Sequence, residues 1–410
     1  MSLQLEPFQE WPQLLDPHLS DLLQPLVSAF IEYLSSHATE YHKSGKCSSR
    51  DVIPLPRAIC KILYIFCKVR GQKVIIRFMN NEPRYLEPML DALESWVQPE
   101  AVHGSSSDHE PMIWEERFVV LWWLSHLMLA PFNLVSMSSE SPGNFLGSPS
   151  PQIDLPDDTL PIAKRLVHVS TFYLGFASKE REAAALLLAR IALKPDLQSS
   201  GLQSVIIEKV ISLLNEGQGA SMSIHTLIGV LSFLAKFILS ADSRALQPLL
   251  EPIYSSIKYI TSRESPFYGE ITSSNLARKL VIKISRAVAV TGTKAEFRRA
   301  QSYIDQDLQK EQLEDILEYL FAALQSKDTS VRVAASKALS VTTVHLDDEM
   351  AQSVCDYAIE ELSTDLSHWD DVQTGQMISR SDFDKQGVDS AWSLPSSFRP
   401  NFRTVNASKW

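Results

Sequence analysis

The sequence is poor in glycine, with 14 in 410 residues, about half the usual share of ~7%. Folds that depend on glycine turns, such as dinucleotide-binding sheets and phosphate-cradling loops, are therefore poor candidates. Only four cysteines are present, Cys47, Cys60, Cys67 and Cys355, too few and too scattered for a disulfide framework. Cys60 and Cys67 are seven apart on an apolar helical stretch and read as core packing. Positive charge is also short: 38 Lys and Arg face 49 Asp and Glu, for a net charge of −11. A dedicated nucleic-acid binder carries a basic stripe instead, so no nucleic-acid partner is expected. No basic, apolar leader opens the chain, because Glu6, Glu10 and Asp16 fall where one would lie, and a cytoplasmic protein is expected. The one candidate for a membrane span, Phe118 to Val135, contains Ser125, His126, Pro131 and Asn133 and follows Glu115-Glu116-Arg117. A buried helix ending at Pro131 explains that run without placing imidazole in lipid, so no span is expected.

Signatures of chemistry are missing as well. Around Gly45-Lys46-Cys47, Glu40 stands where a phosphate loop needs its first glycine, and Cys47 stands where it needs a hydroxyl. Gly104-Ser105-Ser106-Ser107-Asp108 lacks the last glycine of a hydrolase elbow. His37, His42, Cys47, His103 and His109 lack the tight cysteine pairs that mark zinc sites and read as loop histidines. No catalytic residue, cofactor or metal is expected, and the protein is read as a non-enzyme.

What the sequence does have is helical periodicity, in a composition that is 45% hydrophobic. In Leu313–Leu324 the apolar residues Leu313, Ile316, Leu317, Leu320, Phe321 and Leu324 fall on one helix face. A polar break, Gln325 to Thr329, leads to a second helix over about Ser330–Val344, with Val331, Ala334, Ala335, Ala338 and Leu339 apolar. Asp328 stands where its carboxylate can accept the free amides of that helix start. Further helices are predicted over Arg57–Lys68, Glu116–Leu129, Ser178–Ala192 (stopped by Pro195), Leu202–Leu214, Ile224–Leu239 and Asn275–Val290. Arginine recurs early in several of them, at Arg57, Arg117, Arg181, Arg278 and Arg332.

Helix pairs of this size cannot bury both apolar faces alone and need stacked neighbours. The expected fold is all-α: an α-solenoid of HEAT/armadillo-like helix pairs over residues 1–365. Flexible insertions are expected at 42–49 and 102–109, and a disordered one at about 136–156, which is dense in serine, proline and glycine. The helical period fails over 366–410, expected to be an irregular tail. Arg181, Asp328, Val331, Arg332 and Ala335 are expected to organise the repeat, so replacing Asp328 or Arg332 should lower stability.

The sharpest surface feature is a basic cluster in an acidic chain, formed by Lys68, Arg70, Lys73 and Arg77 around Gly71. If Gly71 ends a helix, these charges gather at an exposed inter-helix turn, where they can attract an acidic protein partner. They can also simply complement the helix dipole.

Several runs resemble one family. Phe8–Leu19, FQEWPQLLDPHL, is similar to an early motif of the tubulin-folding cofactor D (tubulin-specific chaperone D) family. Lys68, Val69, Arg70, Gly71 and Lys73 match its Lys-Val-Arg-Gly-x-Lys segment, with Glu87 and Pro88 following. Trp114–Phe132, WEERFVVLWWLSHLMLAPF, matches its Trp-Glu-x-Arg, Leu-Trp-Leu-Ser and Pro-Phe landmarks. Weaker matches follow at Arg181–Asp196, Leu276–Val288 and Ser330–Leu339, so the resemblance covers residues 5–365 and points to the N-terminal part of that family only. It implies a HEAT-repeat chaperone scaffold that holds β-tubulin. Such a scaffold works with tubulin cofactors C and E and an Arf-like small GTPase to join β- to α-tubulin, in the cytoplasm and at the microtubule cytoskeleton. The same fold also suits a scaffold for another partner, such as a small GTPase, transport cargo or a phosphatase.

Overall fold

A computed structural model describes residues 5–37, 53–95, 113–134, 153, 155–198, 201–216, 222–293 and 303–370. Among the described residues every regular element is helical and no strand occurs, and the fold is all-α of the α-solenoid class. The chain divides into two compact units, Met1–Ala241 and Asp242–Trp410, where the sequence suggested a single array over 1–365.

The first unit carries α1 (Leu19–His37), α2 (Leu55–Arg70), α3 (Leu86–Ser95), α4 (Trp114–Leu127), α5 (Pro161–Leu174), α6 (Glu180–Ala192), α7 (Leu202–Glu216) and α8 (Ile224–Ser240). Two 3₁₀ segments, Glu6–Gln9 and Pro12–His18, precede α1 and pack on α2. α2, α4, α6 and α8 stack on one another in that order, while α1, α3 and α5 form a second layer against them. This is how amphipathic helix pairs, each with one apolar face too many, satisfy one another.

α4 is the core of the stack. Phe118 through Ser125 are all buried, and the Trp123 indole donates to the carbonyl of Asn80 at 2.6 Å. Ser125 inside this apolar helix donates to the Trp122 carbonyl at 2.6 Å, so its hydroxyl costs little. The sequence run that raised the question of a membrane is thus an interior helix of 14 residues. No helix among the described residues is long and apolar enough to cross a membrane. α8 comes so close to the end of α5 that a Cβ on Gly229 would stand 2.3 Å from the Leu174 carbonyl oxygen.

The second unit carries α9 (Ser243–Thr261), α10 (Asn275–Gly292), α11 (Tyr303–Leu324), α12 (Thr329–Thr343) and α13 (Asp348–Asp370). α10 packs on α9, α11 and α12, and α11 packs on α12. Val331 and Ala335 are fully buried.

Helix α13 runs to Asp370, past the point at 366 where the apolar period of the sequence fails. Ile153, near the far end of the 136–156 stretch, is 2% exposed, because it is an apolar side chain with a core to enter. Residues 42–49, 102–109, 135–152 and 371–410 lie outside the described residues, and with them the flexible insertions, most of the disordered stretch and most of the irregular tail.

Candidate functional site

The basic corner is built by one glycine. α2 ends at Gly71, whose φ of +95° is a conformation that side-chain-bearing residues rarely adopt. Its N–H donates to the Cys67 carbonyl at 3.1 Å, closing α2. Its own carbonyl accepts from the Val74 and Ile75 amides at 3.1 and 3.3 Å and starts the short helix Gln72–Ile75. Cations on both sides of the glycine therefore converge on one turn. Lys68, Lys73 and Arg77 are exposed there.

Arg70 is different. Its Nε and Nη2 donate to the two carboxylate oxygens of Asp16 at 2.5 and 2.8 Å, a bidentate fork. That bond holds the Asp16 carboxyl below the usual carboxylate range. Arg70 thus clamps the N-terminal 3₁₀ segment onto the end of α2, and the exposed Trp11 and Leu14 belong to that clamped segment. Arg77 lines a polar groove of 480 Å³ between α1 and the turn after Phe78, together with Gln24, Ser28, Glu32, Asn81 and Tyr85.

At the other end of α2 from this corner, charged side chains tie the stacked helices together near their N-terminal ends. Arg57 of α2 faces Glu116 of α4 at 3.6 Å, and Arg117 of α4 meets Glu180 of α6 at 3.0 Å. Arg181 of α6 donates to the Phe176 carbonyl at 3.1 Å and stands 3.5 Å from His225 of α8. Glu116 and Glu180 are each about 1% exposed at the side chain, and burial pushes both carboxyls up from the ordinary value.

In the second unit the corresponding arginine bonds a hydroxyl instead of a carboxylate. Arg278 of α10 donates to the Ser326 hydroxyl at 2.7 Å, and Asn275 donates to Asp328 at 2.6 Å. Asp328 in turn accepts the Val331 amide at 3.1 Å as the cap of α12. Arg332 donates to the carbonyls of Ser326 and Lys327 at 3.0 and 2.9 Å, fixing the turn before α12. These recurrent arginines are therefore bonded within the fold.

Three further basic side chains were not singled out as functional by the sequence. His126 on α4, Arg190 on α6 and Lys236 on α8 lie half-buried on consecutive helices of the stack. Arg190 donates to the Ser125 carbonyl and hydroxyl at 2.6 and 3.1 Å, and among the described residues no carboxylate lies within ion-pair distance of it. Burial, followed by the charge of Arg190, lowers the His126 pKa. Burial also lowers that of Lys236, against the pull of Glu182 and aided by Arg190. The only signal in the sequence was a basic residue in the last turns of α4 and α6, which dipole complementation alone would produce, and nothing marked Lys236. Among the described residues no group of His, Cys, Asp and Glu is arranged to hold a metal ion.

Half-exposed basic side chains on a stacked-helix scaffold can attract an acidic polypeptide. Comparison with known proteins bears on which one. A family model described as tubulin-specific chaperone D-like, ARM repeat, matches residues 5–213. The chain is similar to a tubulin-folding cofactor D of Schizosaccharomyces pombe, at 24% identity over 360 residues, covering 84% of this chain and 28% of that protein. It is also similar to a tubulin-specific chaperone D of Dictyostelium discoideum, at 21% identity over 351 residues, covering 70% of this chain and 23% of that protein. The chain spans roughly a quarter of the length of these curated relatives. No solved structure matches it.

Proposed function

The chain belongs to the tubulin-specific chaperone D-like ARM-repeat family, and on that premise we propose that it is a tubulin-binding chaperone scaffold without catalysis of its own. The observation that carries this reading is the position of the family match. Residues 5–213 contain the Asp16–Arg70 clamp, the basic turn at Gly71 and the Arg–Glu ties between α2, α4 and α6. The finer reading is that the scaffold holds β-tubulin and acts with tubulin cofactors C and E and an Arf-like small GTPase in assembling the α/β heterodimer. It would do so in the cytoplasm and at the microtubule cytoskeleton.

Physical support comes from the surface. Lys68, Lys73 and Arg77 are exposed around one rigid turn, and Arg190 and Lys236 lack ion-paired carboxylates among the described residues. An acidic protein surface would be drawn to both groups, and less so at high salt.

The test is a pulldown of tagged residues 1–410 from cytosol, with bound proteins identified by mass spectrometry. Tubulin is expected in the bound fraction, with cofactors C and E and the GTPase if the finer reading holds. Recovery of a phosphatase, transport cargo or small GTPase without tubulin would instead favour a scaffold of another kind.

A further inference from the structure

In the second unit a groove of 720 Å³ runs between α11 and α13. Its floor is apolar, formed by Leu317 and Phe321 of α11 with Val354 and Tyr357 of α13. The Phe321 and Tyr357 rings meet with centroids 4.4 Å apart, yet Tyr357 remains 46% exposed. The rim is acidic: Glu314, Glu318, Asp347 and Glu349 line it against a single lysine, Lys310. Over residues 348–360 helix α13 buries only Val354. A helix this poorly covered gains little from packing and needs something laid against it.

The sequence contains a segment of matching chemistry. Residues 392–410 carry Trp392, Phe398, Phe402 and Trp410 together with Arg399, Arg403 and Lys409, and contain no Asp or Glu. That is unusual in a chain of net charge −11. The connection is long enough. The 21 residues between Asp370 and Trp392 can extend about 70 Å at ~3.3 Å each, whereas the run back along α13 from Asp370 to Tyr357 is only about 20 Å at 1.5 Å per residue.

We propose that the aromatic, basic segment 392–410 docks in the α11–α13 groove of its own chain, its rings on Phe321 and Tyr357 and its cations on the acidic rim. The proposal does not depend on which protein the basic corner binds.

Hydrogen exchange of residues 348–360 in the full chain tests it, with α6 as the internal reference for intact folding. In R399E/R403E, and separately in F398A/F402A, exchange over 348–360 should become about tenfold faster while α6 is unchanged. Adding E314K/E318K to R399E/R403E should restore protection, because the charges are exchanged rather than removed. Unchanged exchange in both tail variants would overturn the proposal. So would protection that grows with protein concentration, which would make the occupant a second copy of the chain.

Discussion

Arg117 and Glu180 illustrate how much a single residue contributes to this fold. The Glu180 carboxylate is 1% exposed and has Arg117 as its close cation at 3.0 Å. R117A should therefore destabilise the first unit by about 3 kcal/mol at neutral pH, because a buried carboxylate loses its partner. Burial already raises the Glu180 pKa and the Arg117 charge opposes that rise, so the variant raises it further. A carboxyl raised in the folded state favours folding below the ordinary range near 4.3 and loses that contribution as pH climbs through the raised value. The cost of R117A should accordingly shrink as pH falls from neutral toward the raised value, as urea unfolding across that range would measure. The sequence made the arginines visible at helix starts but not their partners. Glu116 and Glu180 lie 59 and 63 positions beyond Arg57 and Arg117, on helices whose pairing is decided only by tertiary packing. Arg70 shows the same limit. Read as one of four surface cations, it is in fact bonded to Asp16, 54 positions earlier.

At the scale of elements, apolar period and caps located most of the stack. α10 runs from Asn275 to Gly292 and α12 from Thr329 to Thr343, within two residues of the pattern-based bounds. α9 was less legible because Pro248 and Pro252 lie inside it, and α1 contains Pro25, all of which normally argue against a helix. α11 begins ten residues before its apolar stripe, since its first turns are charged. Two substitutions test the packing and capping of these elements. G229A should cost about 3 kcal/mol, because the new methyl meets backbone at Leu174 rather than a movable side chain, and thermal unfolding would register it. D328A should cost about 1 kcal/mol through loss of the α12 cap, whereas D328N should retain most of the stability because asparagine also caps. Equal losses in the two Asp328 variants would assign the effect to charge instead.

At the scale of the whole molecule, the proposed tubulin-binding scaffold would present the basic turn at Gly71 as its contact surface. Arg70 must be left intact in testing it, because reversing its charge would release the N-terminal segment from Asp16 and confound binding with unfolding. The exposed cations Lys68, Lys73 and Arg77 can be reversed without touching that clamp. The measurement is the affinity of purified residues 1–410 for purified tubulin at low and high salt, for the parent chain and for K68E/K73E/R77E. With the contact placed there, binding by the parent should weaken with salt, and the triple variant should bind at least about tenfold more weakly at low salt, with unfolding midpoints unchanged. Equal affinity of parent and variant at both salt concentrations would contradict it.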